Sequence, residues 1–370
     1  MSLHGFLRKH LSFLLALTAF FITLLVLGCG GNNSAPPVAT AATAWEAAQV
    51  GATFVGRAEC RDCHARIDDE YATQVNAHTK PNSRHGQAAS LQTCGSCHTT
   101  GFGQPSGGKL DGTTPKLDGI GCESCHGPGS KHIAADTKLE RKATITRTPP
   151  AQETCWQCHG DRRPVGGGVY HPGAMTQPAA PVTAASLRET APGSLRGPHY
   201  ASAAFLAGRS GYGLTTPISS PHSKLPDSCL DCHKPGISSA TGKVNHGATA
   251  LSVNLDTTQP NCAKCHSGDT RSALMQDGVN KLMIELGGED PANPGHFDSN
   301  NRGGLLTAYS TAHAINLSTN ADPDNPHVIA YKAARYNFRY VYGDHSLGVH
   351  NPAFTRRLLE DAKKILSDNP

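Results

Sequence analysis

Cys122-Glu123-Ser124-Cys125-His126 is one of six copies of a Cys-x-x-Cys-His unit, and together the copies absorb 12 of the 13 cysteines. The others are Cys60/Cys63/His64, Cys94/Cys97/His98, Cys155/Cys158/His159, Cys229/Cys232/His233 and Cys262/Cys265/His266. Two thiols at this separation can bond the two vinyl groups of one porphyrin, and the following imidazole is placed to ligate its iron from one face. The chemistry implied is covalent attachment of haem c, six times over. A disulfide framework would not need a histidine fixed after each second cysteine, and thioredoxin-like motifs would not recur without βαβ pattern around them. Zinc needs four converging ligands per ion and leaves the same histidine spacing unexplained.

An iron held from one face needs a ligand for the other. Of 20 histidines, His4 and His10 lie in the leader and six close the motifs, which leaves 12 to choose from. After the initiator the only thioethers are Met175, Met275 and Met283, none well placed to compete. Ile67, Tyr71, Val75 and His78 share one face of a helix expected after the first motif, which aims His78 inward ahead of Pro81. His85 lies beyond that break. His199 and His222 each follow a proline directly, in Gly197-Pro198-His199-Tyr200 and Ser220-Pro221-His222-Ser223, so a restrained backbone presents each imidazole.

The elements that position these groups follow a coarse pattern. Residues 45–160 carry four motifs in close succession, which forces neighbouring porphyrins together. Residues 161–226 carry none and are rich in Gly, Pro, Ala, Ser and Thr, so they read as a long irregular connection, partly wrapped over haem edges, with a domain boundary near 180. Residues 227–370 carry the last two motifs and then change character. Leu274 to Leu286, Leu305 to Ile315, His327 to Tyr342 and Phe354 to Leu366 are expected helices, and Phe354, Leu358, Ala362 and Leu366 share a face of the last. The fold class expected is mainly α with extensive irregular loops, organised around stacked covalent haems, with little β. Hydrophobic residues are only 38% and aromatics 6%, so the side chains alone supply poor material for one large core, and porphyrin faces fill that deficit.

The N-terminus bears on where this chemistry happens. Arg8, Lys9 and His10 precede an apolar run from Leu11 to Leu27, followed by Gly28-Cys29, and residues 1–28 read as an export signal. An uncleaved transmembrane anchor is the alternative, since the run is long for a leader and short for a bilayer. Residues 29–44 lack periodicity and large apolar groups and read as a flexible tether. Removing Arg8 and Lys9 from 33 basic residues leaves 31 against 29 acidic ones, and each haem with ionised propionates adds about −1 or −2. The mature holoprotein is therefore expected to be acidic. With no block of Lys and Arg, the chain has no basic stripe for nucleic acid.

Several of these stretches resemble known families. Phe54-Val55-Gly56-Arg57-Ala58-Glu59 leading into the first motif, and Gly121 to His132 with a second histidine six residues after a motif histidine, are similar to cytochrome c-554 and related multihaem cytochromes. That resemblance implies that His132 ligates a neighbouring haem. The Gly-rich loop around His246, between the last two motifs, is a place where multihaem relatives carry a ligand. Gly348-Val349-His350-Asn351 resembles an element near the end of cytochrome c nitrite reductases in which the histidine is axial, which implies that role for His350, with His345 as an extra. Val26-Leu27-Gly28-Cys29 resembles the lipobox of bacterial lipoproteins, which implies a lipid on Cys29. The absence of Asp directly after Cys29 would, by that family's sorting rule, direct the chain to the outer membrane.

Where the chain departs from these families matters for function. Pentahaem nitrite reductases need a Cys-x-x-Cys-Lys haem with an open iron face, and all six motifs here end in His. Two strong-field ligands per iron leave no vacant position for chemistry, so the reading is a hexahaem, bis-histidine carrier of single electrons in periplasmic or extracellular respiration. Its partners would be other cytochromes, or a porin-cytochrome complex, with the membrane reached through the lipid. One alternative is a reductase or oxidase of a small nitrogen or sulfur compound, with one five-coordinate haem and His313 or His345 as proton donor. A second is a subunit of an extracellular haem filament.

Overall fold

The computed structural model describes residues 50–74, 95, 97–146, 155, 158–160, 182–188, 190–195, 198, 201–225, 229–233, 237–238, 243–244, 246, 266, 271–298 and 303–370. Helix α1, Arg57–Gln74, starts three residues before the first motif and contains it, with non-helical dihedrals at His64 (φ −122°, ψ 34°). The sequence places a helix only after that motif; Ile67 and Tyr71 lie within α1, whereas Val75, His78, His85 and His199 fall outside the described residues. Residues 1–49, with the leader and Cys29, fall outside them too, and among the described residues no helix is long and apolar enough to cross a membrane.

Between the second and third motifs the chain folds back on itself. Thr100 N–H donates to Leu117 O (2.9 Å) and Gly119 N–H to His98 O (3.0 Å), around a buried Leu117. Thr100 Oγ1 then donates to Gly119 O (2.9 Å), accepts from Gly121 N–H (2.9 Å) and meets Ser124 Oγ at 3.0 Å. This loop is thereby fixed to α2, Cys122–His126, which is the third motif itself. Tyr71 of α1 donates to Ile120 O (2.7 Å), so the first and third motifs are tied from both sides. Next come α3, Ser130–Ala134, and α4, Lys138–Ala143. Helix α4 is opened by a capping box in which Thr137 Oγ1 accepts from Glu140 N–H (3.2 Å) and Glu140 Oε2 accepts from Thr137 N–H (3.0 Å).

The connection differs from its expected role. Residues 182–225 hold α5, Ala184–Leu187, and α6, Ser202–Leu206, and contribute buried Val182, Leu187, Leu195, Ala201 and Phe205 to a hydrophobic core shared with the C-terminal helices. Its small residues permit close backbone approach: at Gly208 (φ +65°) a Cβ would stand 1.8 Å from Ile218 O. Helix α7, Cys229–His233, is the fifth motif, and the only paired strands among the described residues are β1, Ile237–Ser238, and β2, Lys243–Val244.

The C-terminal helices are α8, Arg271–Gly287; α9, Gly304–Ala312; α10, Pro326–Asp344; and α11, Pro352–Ser367. They cover the four expected spans with the ends shifted by a few residues. Helices α10 and α11 both begin Asn-Pro. Asn325 Oδ1 accepts from His327 N–H and Asn351 Oδ1 from Phe354 N–H, while the proline sits where its missing N–H costs nothing. Phe354, Leu358, Ala362 and Leu366 are buried, as their spacing requires. Phe205, Tyr340 and Phe354 meet edge to face at centroid distances of 5.0–5.8 Å. This part of the chain therefore has a polypeptide core of its own, which the overall composition did not suggest. Residues 51–370 form one compact unit.

Candidate haem-binding site

The structure brings motif histidines face to face with histidines far away in the chain. His64 lies 6.2 Å from His132 between ring centroids, His126 lies 6.3 Å from His246, His266 lies 6.0 Å from His222, and His233 lies 5.9 Å from His350. Two imidazoles ligating one metal in line, at about 2 Å per bond, put their centroids about 6 Å apart. The contrast is internal: His313 and His327 stack at 3.9 Å and 13°, too close to admit an ion between them. The four pairs fit haem iron, and that stack does not.

In three of these pairs the far histidine has its Nδ1 committed. His132 Nδ1–H donates to Arg141 O (2.7 Å), His222 Nδ1–H to Val349 O (2.9 Å) and His350 Nδ1–H to Asp344 Oδ1 (2.8 Å). A carbonyl or carboxylate oxygen only accepts, so each ring carries its proton on Nδ1 and presents Nε2 as the lone pair. Each acceptor is set by local structure. The capping box of α4 delivers the Arg141 carbonyl, and Asp344 is the last residue of α10. Ser220 Oγ accepts from His222 N–H (3.1 Å), holding the turn that presents His222. At His350, burial disfavours the imidazolium and the adjacent Asp344 carboxylate more than offsets it, leaving the free imidazole's pKa raised.

The attachment points are close to one another. The Cys60 and Cys122 thiols are in hydrogen-bond contact, as are those of Cys155 and Cys229, and Cys97 Sγ lies 3.7 Å from Cys158 O. First and third, fourth and fifth, and second and fourth motifs therefore adjoin. His246 N–H also reaches Glu70 Oε2 of α1 at 3.4 Å, which ties the later cluster to the earlier one.

Two groups that hold this arrangement escape sequence reading. Glu123, 3% exposed, is an x residue of the third motif, and its carboxylate accepts from Val55 N–H (2.9 Å), Gly56 N–H (2.8 Å) and Gly129 N–H (2.7 Å). It fastens the approach to the first motif and the loop leading to His132. Asp68, buried in α1, receives Arg57 and Arg61, and the Arg57 hydrogen bond outweighs burial to hold its carboxyl below the usual range. The remaining expected ligands, His78 and His199, with Cys94, Cys262 and Cys265, fall outside the described residues, and His345 caps α10 in the left-handed region (φ +57°) beside Tyr342.

The family description "Cytochrome c554 and c-prime" matches residues 59–127, and "Cytochrome c552" matches residues 212–368. The chain is 34% identical over 102 residues to cytochrome c-554 of Nitrosomonas europaea, covering 24% of this chain and 43% of that protein. It is 24% identical over 329 residues to the C-type polyheme cytochrome OmcB of Geobacter sulfurreducens, covering 84% of this chain and 37% of that protein. The chain thus spans less than half the length of either relative. Among solved structures it is similar to cytochrome c nitrite reductase from Desulfovibrio desulfuricans, at a TM-score of 0.38 and 16% identity, over 81% of this chain and 68% of that one.

Proposed function

We propose that this chain, a multihaem c-type cytochrome related to the c554 and c552 families, is an exported hexahaem carrier of single electrons. The observation that carries the reading is the set of four histidine pairs about 6 Å apart, each joining a motif histidine to a remote one. Haem bound there supplies reversible one-electron chemistry at iron. The chain's own residues do the rest. Paired cysteines fix position, and the motif histidine takes one axial site. The remote histidine takes the other and excludes water and substrate. Imidazole on both faces favours the oxidised state relative to a thioether. The contacts Cys60–Cys122, Cys155–Cys229 and Cys97–Cys158 support close succession of sites, as short-range electron transfer needs. In this reading His78 and His199 complete the sites of His98 and His159.

The mature chain is anchored by a lipid on Cys29 to the outer membrane, facing the periplasm or the exterior, and exchanges electrons with other cytochromes, including any held in a porin complex. The test is low-temperature EPR of the oxidised holoprotein, integrating high-spin against low-spin ferric intensity. Six low-spin haems are expected. A high-spin component near one haem in six would overturn the carrier reading and make that iron a substrate site, with nitrite and hydroxylamine turnover as the next assays.

A further inference from the structure

The three remote histidines with committed Nδ1 atoms do not have equivalent partners. His132 and His222 donate to backbone carbonyls, which are neutral and fixed. His350 donates to the Oδ1 of Asp344, a carboxylate only 4% exposed. The hydroxyl of Ser346 donates to the other oxygen, Oδ2, and Ser346 Oγ accepts from His350 N–H at 3.2 Å. The five-residue turn from Asp344 to Gly348 closes a ring of hydrogen bonds around the base of this one imidazole. A buried anion at Nδ1 pulls the proton toward itself and raises electron density at Nε2, an effect a carbonyl exerts far more weakly. Such a ligand stabilises the higher charge state of the iron it binds.

We propose that Asp344 is a positioning residue that sets the haem of Cys229, Cys232 and His233 at a lower reduction potential than the haems of the first and sixth motifs, whose remote histidines lean on carbonyls. The proposal rests on the bis-histidine reading above. It deepens that reading by giving the array a direction: the fifth site retains an electron least well, and so forwards it. Val349 sharpens the asymmetry. Its carbonyl orients His222, opposite His266, while the next residue is His350, opposite His233. One dipeptide thus serves two sites with different electrostatics.

The experiment is an EPR-monitored redox titration of full-length holoprotein at fixed pH, comparing wild type with Asp344→Asn, Ser346→Ala and His350→Ala. Asparagine keeps the shape and an accepting oxygen but removes the charge, so one low midpoint should move upward with all haems still low-spin. Removing the Ser346 hydroxyl leaves the carboxylate more basic toward His350, so the same midpoint should move downward. Shifts of the same sign, or no shift in either variant, overturn the proposal. So does a high-spin haem in Asp344→Asn, which would mean that the carboxylate holds the ring in place and does not tune it. His350→Ala separates this from the reading beneath it: one high-spin haem is expected, and its absence would sink the ligation itself. Haem content measured on each variant shows that attachment is intact.

Discussion

Replacing Glu123 by Gln changes one atom in a fully described environment. In the native chain Oε1 accepts from Val55 N–H and Gly129 N–H, and Oε2 from Gly56 N–H with a longer contact from Val55 N–H (3.2 Å). The amide oxygen of glutamine can take the Oε1 place, but its NH₂ then points at the Gly56 N–H. One buried donor is orphaned, at about 1–3 kcal/mol, and the two retained bonds fall from charge-assisted to neutral, losing about 1 kcal/mol each. Allowing for relaxation, the cost is about 3 kcal/mol, which in a domain of this size lowers the thermal midpoint by roughly 6–12 °C. Circular dichroism of the holoprotein reads that directly. A second readout is local: releasing Gly129 loosens the loop ahead of α3, so His132 should leave its place opposite His64 and a high-spin signal should appear. A midpoint within about 1 °C of wild type, with all haems low-spin, would refute the idea that this carboxylate holds the first site together.

Other expectations follow from the same geometry. Asn351→Ala removes a fully buried side chain that donates to Phe205 O, Leu206 O and Ile218 O and caps α11; the cost should be about 3 kcal/mol, seen as a lower urea midpoint. His246→Ala should give high-spin intensity equal to one haem at the third motif without loss of haem content, and an unchanged spectrum would dissociate His246 from His126. Because the Asp68 carboxyl is depressed in the fold, its contribution is complete above the ordinary aspartate value near 3.9 and is lost as pH falls through the lower folded value. Asp68→Asn should therefore be less stable than wild type at pH 6 and lose less stability between pH 5 and 2, as thermal melts across that range would show. Cys29→Ala should release the chain from membranes into the soluble fraction, and mass spectrometry of the mature N-terminus should find no acyl groups.

Legibility from sequence divides along physical lines. The haem attachments were plain because covalent chemistry demands fixed spacing. His222 was visible because a preceding proline restrains it, and the C-terminal helices because Phe354, Leu358, Ala362 and Leu366 recur at the helical period. His132, His246 and His350 came into view through resemblance. What could not be read is who faces whom: His64 takes a partner from beyond the third motif and His233 one from beyond α10, and no local pattern encodes such pairings. Glu123 occupies a motif position with no chemical requirement, and its donors come from backbone far away, which leaves no trace in residue type. The 182–225 segment read as loose because Gly, Ala and Ser dominate it, yet small residues are what let Phe205 and Leu195 reach a core built mostly by α10 and α11.

The crossing of histidine pairs also imposes an order in time. A chain that leaves the cytoplasm from its N-terminus can complete the first site once residue 132 has emerged, because His64 waits only for His132. The third must wait for residue 246, and the fifth for residue 350. Until then each holds iron with one face open, the state in which a ferrous haem meets oxygen or peroxide. A chain stalled or clipped between residues 160 and 246 would thus be a small peroxidase in place of a carrier, and the late histidines act as safety catches that close only when export is nearly finished.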